Sequence, residues 1–301
     1  MYDVIIIGGG PAGMSAALYL LRNNKKVLII EKNAFGGQIA TSPHLENFPT
    51  IKSISGLEWS DLFFNQISDM GADFELEEVL EVSKTGNLFT VKTNYNEYQT
   101  YCVIAANGVT PRKLNLPNED DLRGKGVSYC AVCDGPFYKG EESYIIGDAN
   151  TALQYAVLLT DYCTKVHLYT LFDKFFGDQI LINKVLNNEK IEIKHNLSLI
   201  ELIGKDNLEA IKFQDTKTKE ETIYKTSNVF IAIGQIPHND AFKGLIELNK
   251  GFIPTNEEME TNVPGFFAAG DTRVKNERQV ITACSDGSIA AVSALKYLSS
   301  L

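Results

Sequence analysis

Apolar residues run unbroken from Val4 to Ile7, give way to glycines, and return at helical spacing through an Ala- and Leu-rich stretch ending at Leu21. A second short apolar run, Val27 to Ile30, follows a polar turn. Short continuous apolar runs bounded by turn residues predict buried strands, and the 3.6-residue period between them predicts a helix. The opening segment therefore reads as a strand-helix-strand unit. The same pattern recurs near Ser143, with a strand from Tyr144 to Ile146, a helix through Leu159 and a strand from Val166 to Tyr169. Beyond Ile233 the chain is expected to be loop-rich until an apolar helix with closely spaced small residues, from about Gly287 to Leu298. Turns containing Pro111, Pro117 and Pro237 flank the middle unit, so crossings between domains are expected near 113 and 239.

Composition narrows the class. With 301 residues, 44% hydrophobic and 22% charged, the chain suits a globular protein of about two domains. No apolar run is long enough for a membrane span and no signal-peptide pattern opens the chain, so a cytoplasmic, non-membrane protein is expected. A net charge of -10 argues against nucleic acid, whose phosphates require clustered Lys and Arg. Five cysteines without a secretory signal do not form an extracellular disulfide framework, and a reducing cytosol is the default.

The first glycine cluster, GGGPAG, contains G-x-G-x-x-G at Gly8, Gly10 and Gly13, directly between strand and helix. Gly8 permits the tight turn, Gly10 lets backbone approach a pyrophosphate, and Gly13 lets helix and strand pack closely. Glu31, at the end of the second strand, can accept hydrogen bonds from a ribose. Together these features predict a dinucleotide site rather than a bare glycine turn.

CAVCDG, Cys130 to Gly135, carries a C-x-x-C spacing that allows a small disulfide ring. At the start of a helix, such a cysteine would have its thiolate favoured by the dipole. Zinc binding and coincidence are the alternatives. A structural zinc needs four ligands, yet there is no second C-x-x-C and the four histidines are scattered, so redox use is favoured and no metal is expected. Asp134 could shuttle the proton of thiol-disulfide exchange, cap a helix, or do both. Cys102, Cys163 and Cys284 read as small packing residues.

Near the C-terminus, Gly270-Asp271 and the polar stretch after it resemble flavoprotein disulfide reductases, in which the aspartate binds the ribityl chain of FAD. GGGPAG, EKNAFGGQI, ENFP, CAVCDG, AAGD and RQV then occur in the order and spacing of low-molecular-weight bacterial thioredoxin reductases, a resemblance covering essentially the whole chain. It implies an FAD-containing homodimer of α/β class, with two Rossmann-like (three-layer ββα) nucleotide-binding domains, the second inserted into the first. Residues 1–113 and 240–301 would form the FAD domain and 114–239 the disulfide-carrying insert. It also implies roles: Cys133 takes electrons from the flavin, Cys130 attacks thioredoxin, and Asp134 serves as acid and base. FAD-contacting positions would be Gly8, Gly10, Ala12, Gly13, Glu31, Gly37, Gln38, Asn47, Val79, Ala106 and Gly108. Gly270, Asp271, Arg278, Gln279, Val280 and Ala283 would complete the set, and Asn107 replaces the family's usual Thr.

The second nucleotide turn departs from the family. NADPH-using members resemble Gly-Gly-Gly-Asp/Asn-Ser/Thr-Ala there, followed by a strand ending in His-Arg-Arg and a further Arg. This chain has Gly147-Asp148-Ala149-Asn150-Thr151-Ala152, Thr170-Leu171-Phe172 at the strand end, and Phe176 at the last arginine position. A 2'-phosphate is normally met by Arg, and NADH would still have to bring its pyrophosphate against Ala149 and Asp148. The chain thus resembles the ferredoxin-dependent flavin thioredoxin reductases, which lack nicotinamide-binding motifs. That resemblance implies ferredoxin as donor, the flavin converting single electrons to pairs, and thioredoxin as acceptor. Docking an acidic ferredoxin would need a basic patch, drawn from Lys25, Lys26, Arg112, Lys113, Arg123, Lys125 or Arg273. A diverged NAD(P)H enzyme and a flavin-binding redox sensor or scaffold without turnover are the competing functions.

Overall fold

The opening strand, Tyr2–Ile7, is apolar from Val4 onward because both of its faces are covered. Val4 and Ile6 join the core that contains the helical residues Ala16, Leu20 and Ala290, while Ile5 and Ile7 join the core on the opposite face with Phe242 and Phe266. This two-sided burial is the signature of a parallel sheet sandwiched between layers. The computed structural model describes residues 1–42 and 44–301.

The chain divides into two compact units, Met1–Thr110 with Ile236–Leu301, and Pro111–Gln235. These boundaries fall a few residues before the crossings expected from the proline turns. In the first unit, strands Asp73–Leu76, Val27–Glu31, Tyr2–Ile7, Glu97–Ala105 and Phe266–Ala268 run parallel in that spatial order. Strand Glu97–Ala105 also pairs antiparallel along its first half with Leu88–Thr93, which pairs in turn with Val79–Thr85. In the second unit the parallel order is Ile191–Lys194, Lys165–Tyr169, Glu142–Ile146, Val229–Ile231, Val127–Ser128. A three-stranded antiparallel sheet, Leu197–Ile203, Ala210–Asp215 and Glu221–Lys225, shares a core with the parallel sheet through Tyr144, Ile146 and Phe213. Both units are thus Rossmann-like, and the α/β class expected from the alternating pattern holds. Among the described residues no helix is long and apolar enough to cross a membrane.

The terminal helix begins at Val280, not near Gly287. A buried acid, Asp286, and an exposed Ile281 obscured its first two turns, which start in a capping box formed by Gln279 and Thr282. Its small residues meet the first helix, Pro11–Leu21, at very close range. A side chain on Gly287 would put its first carbon 2.1 Å from the Ala12 carbonyl oxygen, and Ser15 donates to the Cys284 carbonyl at 2.7 Å. Gly287→Ala should therefore destabilise the protein by about 1–3 kcal/mol, while Ser285→Ala, at an exposed position of the same helix, stays within about 0.5 kcal/mol. Urea unfolding followed by far-UV circular dichroism measures both.

Candidate functional site

The first turn is built for close approach. Gly8 lies at φ +109°, and a side chain there would come within 2.4 Å of the Ala106 carbonyl oxygen, while one on Gly13 would come within 1.9 Å of the Gly8 oxygen. Gly10 faces Gly37, so neither places a side chain over the turn, and nothing lies within 4 Å of where a side chain on Gly108 would start. Glu31 accepts the Gly9 N–H at 2.8 Å and the Asn33 N–H at 2.9 Å. Its carboxylate therefore also braces the turn, a role the sequence did not show. A cavity of about 250 Å³ opens beside it, bordered by Gly8, Glu31, Val79 and Asn107. Asn107 gives its Nδ2 to the His238 carbonyl and to Asn239, leaving its buried Oδ1 with no partner among the described residues.

The other predicted positions gather around the start of the terminal helix. A side chain on Gly270 would meet Ala12 and Ala283, so these three share one contact. Asn47 donates to Gln279 at 3.1 Å across 232 residues of sequence, and Gln38 donates to the Val109 carbonyl at 2.6 Å. Val280 packs at the margin of the first core. Arg278 lies over the Phe252 ring, 4.8 Å from its centre, and reaches the Asp271 carbonyl. Asp271 itself has a buried Oδ1 with no hydrogen-bond partner among the described residues. Burial pushes its pKa up to about 6, against the pull of Lys275 and Arg278. An open buried acceptor beside glycines that leave backbone exposed is what a ligand carrying hydroxyl and phosphate groups requires, so these residues fit FAD.

Sequence reasoning missed Asp286. Its carboxylate accepts the Gly270 N–H at 3.1 Å, Lys275 Nζ at 2.8 Å and Arg273 Nη1 at 3.1 Å. The acid lies in a stretch read as loop, and its partners are fixed only when the helix forms. This pairing also removes Arg273 from any docking patch, since its side chain is only 15% exposed, and Lys113 is tied to Asp120.

In the second unit a disulfide joins Cys130 and Cys133, with Cα atoms 5.3 Å apart. Cys130 caps the single helical turn Ala131–Asp134, and its sulfur accepts the Cys133 N–H at 3.2 Å. One turn sums few peptide dipoles, so this direct N–H contact, more than a macrodipole, is what would stabilise a Cys130 thiolate. Asp134 accepts the buried Ser128 hydroxyl at 2.6 Å, and the same hydroxyl accepts the Cys130 N–H at 3.0 Å. No side-chain hydrogen bond from Asp134 caps the turn that begins at Gly135. The carboxylate is instead wired through Ser128 to the cysteine backbone. Cys102 and Cys163 are buried, and burial raises the thiol pKa of all three remaining cysteines, Cys102 and Cys284 to about 12. Among the described residues no three metal-binding side chains cluster.

The second turn matches the first in backbone and differs in side chains. Gly147 has φ +151°, and Ala149 holds the helix N-cap place that Gly10 holds in the first unit. Asn150 exchanges two hydrogen bonds with Asp178, at 2.9 and 2.7 Å, which brings a second carboxylate to a turn already carrying Asp148. Burial raises the Asp148 pKa. At the strand end Thr170 is fully buried, while Leu171, Phe172 and Phe176 are exposed, the two rings 5.4 Å apart. Lys174, beside the last of these positions, places its ammonium 5.2 Å from the centre of the Phe176 ring.

The chain matches the pyridine nucleotide-disulphide oxidoreductase family over residues 2–287. It is 41% identical over 303 residues to a thioredoxin reductase of Bacillus subtilis, covering 100% of this chain and 96% of that protein. A thioredoxin reductase of Listeria innocua is 39% identical, over 100% and 95% of the two chains. The crystal structure of thioredoxin reductase from Streptococcus pyogenes superposes with a TM-score of 0.96 at 35% identity, covering 100% of this chain and 99% of that one.

Asp271, expected to contact FAD, would make cofactor binding pH-sensitive. Its carboxyl is neutral below about pH 6 in the cofactor-free protein, and a neutral acid is the poorer acceptor for hydroxyl donors. FAD affinity of the apoprotein, followed by quenching of flavin fluorescence, should fall as pH drops through about 6, and Asp271→Asn should flatten that dependence. Stability of the apoprotein has the opposite slope: the raised acid binds more protons folded than unfolded, so this contribution grows as pH falls from about 6 toward 3.8.

Proposed function

Because the chain belongs to the pyridine nucleotide-disulphide oxidoreductases, and within them to the thioredoxin reductases, we propose that it reduces thioredoxin with electrons from reduced ferredoxin, passed through FAD to Cys130 and Cys133. FAD is the cofactor of this family, and when bound it would take electrons singly from ferredoxin and supply them in pairs to a disulfide. Gly8, Gly10, Gly13 and Gly37 would admit its pyrophosphate, Glu31 its adenosine ribose, and Asp271 its ribityl chain.

The thiol chemistry follows from the cysteine geometry. With the pair reduced, the N–H of Cys133 favours the Cys130 thiolate, which attacks the thioredoxin disulfide. One Cys130-to-thioredoxin sulfur bond forms as the thioredoxin disulfide breaks. The Cys133 thiolate then displaces thioredoxin from Cys130, reforming the internal disulfide, and thioredoxin leaves as a dithiol carrying two electrons and two protons. Asp134 relays a proton to the leaving thiolate, held by its bond to Ser128.

The donor is inferred from the second turn. Ala149 stands where a glycine would admit pyrophosphate, Asp148 and Asp178 border the same turn, and exposed Leu171, Phe172 and Phe176 replace the cationic surface a 2'-phosphate needs. A nicotinamide-dependent enzyme is the second reading, favoured by the retained Gly147 backbone and by Lys174. A lone ammonium over an aromatic ring replaces none of the bidentate contacts that guanidinium groups make. The family also implies a homodimer, which sedimentation of the holoprotein tests.

Under anaerobic conditions reduced ferredoxin should support thioredoxin reduction, while NADPH and NADH leave the flavin oxidised; rapid bleaching by micromolar NADPH would overturn the ferredoxin assignment. Cys133→Ser should trap a mixed disulfide between Cys130 and thioredoxin, visible on a non-reducing gel, and Cys130→Ser should not. Asp134→Asn should lower steady-state turnover by about 10²-fold or more while Cys133→Ser/Asp134→Asn still traps thioredoxin.

A further inference from the structure

Three cations lie within seven residues of Asp271, namely Arg273, Lys275 and Arg278, yet its buried Oδ1 has no partner among the described residues. Each cation is held elsewhere. Lys275 binds Asp286 at 2.8 Å and Thr282 at 3.2 Å, and Arg273 binds Asp286 at 3.1 Å and Thr255 at 2.8 Å. Among the described residues Arg278 lies over Phe252 and donates to the backbone carbonyl of Asp271. Asp286 is 6% exposed, and the Lys275 side chain is 9% exposed, too deep for its ammonium to turn to water. A buried charge stripped of its partner is costly and takes the nearest opposite charge.

We propose that Asp286 is a positioning residue for the flavin site: by engaging Lys275 and Arg273 it keeps the Asp271 carboxylate open to the hydroxyls of the ribityl chain. Without Asp286, Lys275 turns onto Asp271 and an internal ion pair fills the acceptor that the cofactor needs. The bond from the Gly270 N–H to Asp286 anchors the same turn, so a purely structural role has to be separated from this electrostatic one. The inference rests on Asp271 being a flavin contact.

The separation comes from removing the competing lysine. Apoprotein is prepared from wild type, Asp286→Asn, Asp286→Asn/Lys275→Met, Lys275→Met and Asp271→Ala, and FAD is titrated into each by fluorescence, with far-UV circular dichroism monitoring the fold. Asp286→Asn should weaken FAD binding about tenfold or more, and the added Lys275→Met should recover most of that loss, a coupling a turn-anchoring role would not produce. Lys275→Met alone should bind FAD as tightly as wild type or more tightly. Wild-type affinity in Asp286→Asn, a double variant as weak as the single, or tenfold weakening by Lys275→Met alone overturns the proposal; the last remains decisive if Asp286→Asn does not fold. Asp271→Ala should also lose affinity, and if it binds FAD like wild type the assignment of the site itself fails, an outcome distinct from failure of the Asp286 role alone.

Discussion

The first unit, Met1–Thr110 with Ile236–Leu301, depends on one close contact between its first and last helices. The Ala12 carbonyl leaves no room for a side chain at Gly287, so the first and last helices approach until their backbones touch. That approach brings Gly270 against Ala12 and Ala283 and sets Asp271 in the same region as the first glycine turn. Ser15 and Cys284 add a hydrogen bond across the seam. A bulkier residue on either side would separate two groups of expected cofactor positions that lie some 260 residues apart in sequence.

How far the sequence foretold this differs by feature. The opening strand, turn and helix were legible because each obeys a local rule, an apolar run, a glycine pattern or a helical period. The same holds for the C-x-x-C spacing. The early start of the terminal helix was hidden because buried Asp286 and exposed Ile281 break the apolar-in, polar-out pattern over its first two turns. Asp286 and Ser128 were invisible for a deeper reason. Each is an ordinary polar residue whose importance lies wholly in its partners, Lys275 and Arg273 for one, Asp134 and the Cys130 amide for the other, and no spacing rule announces such pairings.

The two nucleotide turns divide a Rossmann motif into parts with different fates. Positions that pack the motif are kept in both: a glycine with positive φ at the strand end, an extended residue at the helix N-cap, a small residue one helical turn on. Positions expected to face a ligand are glycines only in the first. In the second they carry a methyl, carboxylates and exposed aromatic rings. Packing tolerates little change because a misplaced carbon meets backbone within about 2 to 3 Å, as at Gly147. A position that meets no backbone is under no such packing constraint.

The strand Glu97–Ala105 pairs on one side with the opening strand and on the other with Phe266–Ala268. Between these partners in sequence lies the whole unit Pro111–Gln235. A ribosome therefore releases every residue of the disulfide-carrying unit before it releases the last strand and helix of the enclosing one. Domains fold as units once their residues are available. The inserted unit is complete first, while the unit that encloses it in sequence waits with an open sheet edge at Val103–Ala105, and capture of FAD by residues from both sides of the insertion would be a late event in the synthesis of the chain.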